Sequence, residues 1–354
     1  NGITDGDENV MIGYRAGKAT TTGGYNTFVG AGAGLEVTGA SYNNFFGYLA
    51  GYSGATRGNQ NNAFGYYAMS SQAGTNNVAM GHNAMQGEAG SDNDSCVGIG
   101  AYALRNLSGT ANDNVAIGYG SLQGPGAGTT GYSNTAVGRS AGDGVTTGHS
   151  NVFMGFYAGK TNTSYTGNVY IGNETGYANE MNLNVFIGNL AGRYATDVAS
   201  SVFIGSQAGG EAAATGDYNV FVGTTAGYGL TTGYHNVGLG QDALRNNQDG
   251  YDNVAVGSST LDAVTSGYQN VGIGISGGSS LNTGYQNTFV GAFAGLDSTD
   301  GRLNAFFGAY AGTGNTGGRY NTAIGASSLQ ENQLGDNNTA VGRYTMYNTN
   351  TADG

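Results

Sequence analysis

The pentapeptide Asn184-Val185-Phe186-Ile187-Gly188 recurs in variant form twenty times, and this recurrence limits the possible folds more than any other feature of the chain. The copies begin at Asn9, Asn26, Asn43, Asn61, Asn77, Cys96, Asn114, Asn134, Asn151, Asn168, Asn184, Ser201, Asn219, Asn236, Asn253, Asn270, Asn287, Asn304, Asn321 and Asn338. Twelve of the nineteen intervals are 17 residues, the others fall between 16 and 20, and the last seven are all 17. A unit this short is one coil that cannot bury an apolar face without a neighbour above and below. The pattern predicts an all-β fold: one parallel β-solenoid, a flattened β-roll of about twenty 17-residue coils over residues 9–354, with residues 1–8 as a lead-in. At the strand spacing of a sheet, about 4.8 Å per coil, the twenty coils should span roughly 95 Å.

Positions within a coil are numbered from its leading residue. Position 4 is always large and apolar (Ile12, Val29, Phe46, Phe64) and position 2 is mostly Val, so alternation puts both on one face of a short strand and position 3 on the other. Position 5 is glycine in all twenty coils, Gly13, Gly30, Gly118, Gly188, Gly257 and Gly342 among them. An obligatory glycine predicts a corner with positive φ, or one where a side chain would strike the next coil. Position 8 is small (Ala33, Ala158, Ala294), as a closely approaching second wall requires. A second corner follows, rich in Thr, Gly and Tyr, as in Thr231-Thr232-Gly233-Tyr234. Coil length varies mainly there, for example over 122–128.

Positions 3 and 9 compensate in size. Ten coils pair a large position 3 with glycine: Met11 with Gly17, Phe28 with Gly34, Phe45 with Gly51, Phe153 with Gly159, Tyr170 with Gly176, Phe186 with Gly192, Phe203 with Gly209, Phe221 with Gly227, Phe289 with Gly295 and Phe306 with Gly312. Eight coils invert the pair, from Ala63 with Met69 to Ala340 with Met346, and only coil 8 (Ala136, Gly142) and coil 16 (Gly272, Gly278) have no large member. Conserved volume predicts one shared packed layer, and the runs of Phe and Tyr predict an aromatic ladder serving as packing or as an interface. A paired Phe186→Ala, Gly192→Leu change should then recover the stability that Phe186→Ala loses. Because position 3 is apolar as well as positions 2 and 4, the strand should be buried on both faces. One face fills the roll, and the other needs a cover that another copy of the chain can supply.

Eleven Lys+Arg against 23 Asp+Glu give a net charge of −12, which argues against nucleic acid as a partner. The chain is glycine-rich (69 Gly, one proline, Pro125), yet its glycines keep the coil register and show no three-residue period, which excludes collagen. No apolar run approaches the roughly 18 residues of a membrane span, so no direct membrane insertion is expected. Cys96 stands where eighteen coils have Asn and one has Ser201, and reads as a small substitution inside a coil.

Motifs that could carry chemistry fall on repeat positions. Gly272-Ile273-Gly274-Ile275-Ser276-Gly277 has dinucleotide-binding spacing and Gly138-Arg139-Ser140-Ala141-Gly142 has nucleophile-elbow spacing, but neither has a helical pattern after it. His82, His149 and His235 lie in separate coils. Acidic corners at 5–8, 92–94 and 297–300 offer oxygen ligands for calcium without a recognised calcium-loop spacing. Asn106-Leu107-Ser108 and Asn162-Thr163-Ser164 fit the N-glycosylation pattern. No catalytic, cofactor or metal residues are assigned, and the expectation is that the chain is not an enzyme. A glycan-cleaving enzyme on a fibre scaffold would need facing carboxylates outside the repeat.

The coils resemble the head repeats of YadA-type trimeric autotransporter adhesins, on the strength of Asn114-Val115-Ala116-Ile117-Gly118 and Asn253-Val254-Ala255-Val256-Gly257. The Asn-Thr-Ala-Val-Gly form at 134–138 and 338–342 is also similar to repeats of phage tail-fibre-like and extracellular proteins. The adhesin coil is shorter than this one. The resemblance implies a left-handed β-roll, trimeric in the adhesins, and an extracellular, cell-surface or virion location. The expected function is a structural rod: the head or shaft of an adhesin, a fibre or an end-to-end filament. Its expected partners are copies of itself, as a trimer or an end-to-end polymer, and a host-surface glycan or matrix. End-to-end joining is expected because neither the lead-in nor residues 351–354 carry an amphipathic segment that could cap an open coil. The alternatives are a bacteriophage tail-fibre segment and, from the threonine-rich corners, an ice-binding β-solenoid.

Overall fold

The computed structural model describes residues 6–52, 58–71, 74–87, 91–126, 129–210 and 213–348. Residues 127 and 128 of the variable corner, Asp5 of the acidic lead-in and residues 351–354 lie outside them. The chain is an all-β parallel β-solenoid of twenty three-residue strands, with no helix among the described residues. It forms two compact units, 1–182 and 183–354. The first carries ten strands, from Val10–Ile12 to Val169–Ile171; the second carries ten, from Val185–Ile187 to Thr339–Val341. Within each unit consecutive strands pair in parallel, like position against like position, as in Val152↔Val169 with Phe153↔Tyr170 and Val185↔Val202 with Phe186↔Phe203.

Position 3 is the inward face. It is buried in nineteen of the twenty strands, the exception being Met11 in the first, whereas positions 2 and 4 are half-buried or exposed throughout. Position 8 lines the interior opposite it, and Ala33, Ala158, Ala191 and Ala294 are all fully buried.

The second wall is not a strand. Positions 6 to 10 form successive tight turns in which positions 7 and 9 take positive φ, as at Leu190 (61°) with Gly192 (56°) and Asp242 (56°) with Leu244 (51°). Their backbone groups still bond from coil to coil: the Gly192 N–H donates to Ala208 O at 2.9 Å and the Gln207 N–H to Asn189 O at 2.9 Å. Alternating right- and left-handed residues point N–H and C=O along the stacking direction without extending the chain. A wall that looks strand-like in its spacing is therefore a ladder of turns.

At position 5 both expected reasons for glycine hold. Its φ lies between 118° and 146° in all twenty coils, where a side chain is strained. A Cβ on Gly13 would also lie 2.6 Å from Gly30 O, and one on Gly118 2.6 Å from Gly138 O.

The leading Asn is a buried ladder of its own. In the second unit Asn253 Oδ1 accepts from the backbone N–H of Asn270 at 3.0 Å and from its Nδ2 at 3.0 Å, while Asn253 Nδ2 donates to Gly267 O at 2.8 Å. In the first unit Asn26 Oδ1 accepts from Asn43 N at 2.9 Å and its Nδ2 donates to Ala40 O at 2.9 Å. One short side chain must accept and donate at once to satisfy these buried backbone groups, and the amide of Asn does both. Ser201 keeps the acceptor half, taking Asn219 N at 3.0 Å.

Candidate functional site

Every aromatic residue of the expected ladder is fully buried: Phe28, Phe45, Phe153, Tyr170, Phe186, Phe203, Phe221, Phe289 and Phe306. They fill the roll and do not form a surface interface. Rings in adjacent coils stack, with centroids 5.1 Å apart for Phe28–Phe45, 4.6 Å for Phe186–Phe203, 5.5 Å for Phe203–Phe221 and 5.5 Å for Phe289–Phe306. The Phe153–Tyr170 pair is tilted by 36° at 5.6 Å. Tyr170 adds a hydroxyl to this apolar file, and it donates to Asn179 Oδ1 at 2.8 Å inside the same coil.

The compensation between positions 3 and 9 is steric. A Cβ on Gly34 would stand 2.6 Å from the Phe28 ring, and one on Gly176 2.6 Å from the Tyr170 ring. Where position 3 is small, the space is taken from the other wall by Met69, Met85, Leu104, Leu244, Leu261 or Leu329, each fully buried. These residues hold φ near 51–53°, the same left-handed conformation that glycine has there.

Coils 8 and 16 are not defects in the pattern. Position 9 of one coil lies beside position 3 of the next: a Cβ on Gly142 would be 2.7 Å from Phe153 and 2.8 Å from Leu122, and one on Gly278 2.5 Å from Phe289 and 2.9 Å from Leu261. A large position 9 directly before a large position 3 would therefore place two side chains in one space. Both switches in that direction pass through a coil with neither, whereas the three opposite switches, after Phe45, Phe221 and Phe306, need none.

The candidate functional surface is the outward face of the strands. In the first unit it exposes Ile12, Phe64, Met80, Ile117 and Met154, with Phe46 and Phe64 stacked at 4.9 Å. In the second it exposes Leu239, Ile273, Phe307, Ile324 and Val341. Alternation had placed these residues on one face; the structure makes that face the outer one.

The motifs with catalytic spacing stay within the repeat. Val271–Ile273 is a strand followed by turns, and Ser140 sits at φ 52° with its N–H bonded to Tyr119 O. His82 stacks on Tyr66 and His149 on Tyr132, while His235 Nδ1 lies 3.4 Å from Asp252 Oδ1. Among the described residues no three His, Cys, Asp or Glu gather as a metal site. Cys96 is buried inside its coil, its thiol facing Asp94 O and Ala111 O at 3.3 Å, and burial pushes its pKa up to about 11. The thiolate is thus suppressed at neutral pH. Asn162, read from its tripeptide as a glycan acceptor, is fully buried and so closed to glycosylation in the folded chain. Asn106 is half-buried, with Nδ2 on Gly124 O at 3.1 Å.

Sequence reasoning missed two features, the Asn ladder and a surface file of tyrosines. The first had a signal, an amide-bearing residue held at one position in eighteen coils. No known protein family's model matches this chain, and no curated protein matches it in sequence.

Proposed function

We propose that the chain is a non-enzymatic structural protein, a β-roll forming the head or shaft of an extracellular fibre, filament or adhesin, with its outward strand face covered by further copies of itself. The observation that carries this reading is the apolar outer face: Met80, Ile273 and Ile324 are 43%, 41% and 44% exposed in the interior of the stack, and position 4 is apolar in every coil. A continuous exposed apolar strip on a protein marks a contact surface. The buried machinery, by contrast, is devoted to stacking one coil on the next. The likeness of the repeat to adhesin heads supports a trimer and a place at the cell surface, in the extracellular space or on a virion, with a host-surface glycan or matrix as the outer ligand.

Sedimentation equilibrium over a dilution series tests the assembly. The wild type should run at a multiple of 35.7 kDa, and a Leu239→Thr, Ile273→Thr, Ile324→Thr variant, which keeps β-branched or strand-compatible residues on the same face, should shift toward monomer. A wild type that is monomeric at every concentration refutes the covered face. Electron microscopy of native particles separates a virion fibre from a cell-anchored head.

A further inference from the structure

Tyr234, Tyr251, Tyr268 and Tyr285 stand two residues before the leading Asn of successive coils, on the surface of the second unit. Their rings stack with centroids 5.1, 4.9 and 4.8 Å apart and interplanar angles of 5°, 3° and 1°. Such a stack satisfies its inner faces and leaves two end faces. At the Tyr285 end the chain supplies its own cover: the Arg302 guanidinium carbon lies 5.5 Å from the ring centroid, and Nη1 donates to the hydroxyl at 2.8 Å.

At the Tyr234 end the rung position of the preceding coil is Asp217, not another ring. Tyr234 is 41% exposed, and a cleft of roughly 330 Å³ opens beside it, lined by Thr215, Asp217, Tyr218, Thr232 and His235. Asp217 Oδ1 accepts from the Ala199 N–H at 2.7 Å, and among the described residues no Lys or Arg pairs with this carboxylate. Thr232 Oγ1 spends its proton on Asp249 Oδ1 at 2.7 Å, which leaves it an acceptor toward the cleft. The cleft thus combines an aromatic ring, a carboxylate and a hydroxyl acceptor. That set matches a planar cation with several N–H donors.

The chain's own cations behave in the same way. Among the described residues, eight of ten Lys and Arg (Arg15, Arg105, Arg139, Lys160, Arg193, Arg245, Arg302 and Arg343) lie within 6.0 Å of a Tyr or Phe centroid. The net charge of −12 adds a field that draws cations in. We propose that this cleft receives an arginine side chain of a partner protein, its guanidinium on Tyr234 and its N–H groups on Asp217 and Thr232, in the manner of Arg302 on Tyr285.

Saturation-transfer NMR and calorimetry on the intact chain test this with four probes: N-acetylarginine methylamide, its lysine counterpart, methyl glucoside, and an arginine-containing hexapeptide. The arginine probes should bind saturably, the hexapeptide more tightly than the free derivative. Asp217→Asn, which keeps the oxygen that Ala199 needs, and Tyr234→Leu should each weaken binding by at least about fivefold. Tyr119→Leu, in the first unit, should leave it unchanged. Absence of saturable binding, or affinity unaltered by Asp217→Asn, overturns the proposal. Preference for methyl glucoside reassigns the cleft to sugars, and equal affinity for peptide and free derivative overturns a protein as the source.

Discussion

Replacing Gly278 by Leu tests the one-way packing between coils. The backbone there has φ 58°, close to the 46–53° at which eight other coils hold Leu or Met, so the main obstacle is space. The new Cβ would start 2.5 Å from Phe289 Cδ2, and overpacking of this kind costs about 1–3 kcal/mol. Phe289→Ala alone opens a cavity at a fully buried ring and should cost about 3–5 kcal/mol. Together the changes move the coil without a large position 3 or 9 one step along, from coil 16 to coil 17, and restore an allowed order. The introduced leucine then occupies the space that Phe289 vacates, so the double variant should be no less stable than Phe289→Ala alone, a favourable coupling of about 1–3 kcal/mol. The sequence-based exchange Phe186→Ala, Gly192→Leu should fail to recover, because its new leucine would directly precede Phe203. Urea denaturation gives the cycle, and hydrogen exchange of the Gly278 N–H, bonded to Ala294 O at 2.8 Å, reads it locally in case a solenoid unfolds in stages. A double variant as unstable as the summed singles, or full recovery at 186/192, would refute the argument.

Three further outcomes are expected. Asn253→Ala should cost about 2–4 kcal/mol in chemical denaturation, since it strands the Asn270 N–H and Gly267 O inside the roll, and Asn253→Ser should cost less because Ser201 shows that a hydroxyl can keep the acceptor. Asn162→Val should raise the melting temperature: its buried amide has no hydrogen-bond partner among the described residues, and Val145 fills the equivalent place one coil earlier. For Asp262, burial raises the pKa above its ordinary 3.8, with Asp242 adding to the rise and Arg245 opposing it. A raised folded-state pKa favours the fold below 3.8 and loses that advantage as pH climbs through the shifted value, so Asp262→Asn should stabilise at pH 7 and gain nothing over wild type in acid. A gain independent of pH in thermal melts would contradict this assignment.

The repeat length, the corner glycine and the exchange between Phe186-type and Leu244-type coils were readable because each is a steric requirement imposed twenty times over. Alternation gives parity but not sign. Val185, Phe186 and Ile187 are all apolar, so their order could not reveal that Phe186 points in and its neighbours out. The turn-built wall was hidden for a different reason: Leu190 and Leu244 carry positive φ imposed by stacking, and neither residue type advertises it. Asn253 reads from its polarity as a surface residue until its carbonyl and amide are seen to serve two neighbouring coils. The Tyr234 cleft depends on one coil having Asp217 where the next four have rings, a local departure that a search for regularity passes over.

The order of coil types also restricts how a gene for such a roll can lengthen or shorten. Duplicating a coil inside a run of like coils, as around Phe203, leaves every neighbour compatible, so unequal recombination there is structurally silent. Excising residues 134–150 would instead bring Leu122 directly against Phe153, and excising 270–286 would bring Leu261 against Phe289. The two coils that have no large side chain at position 3 or position 9 are thus the ones that deletion cannot remove without a second change.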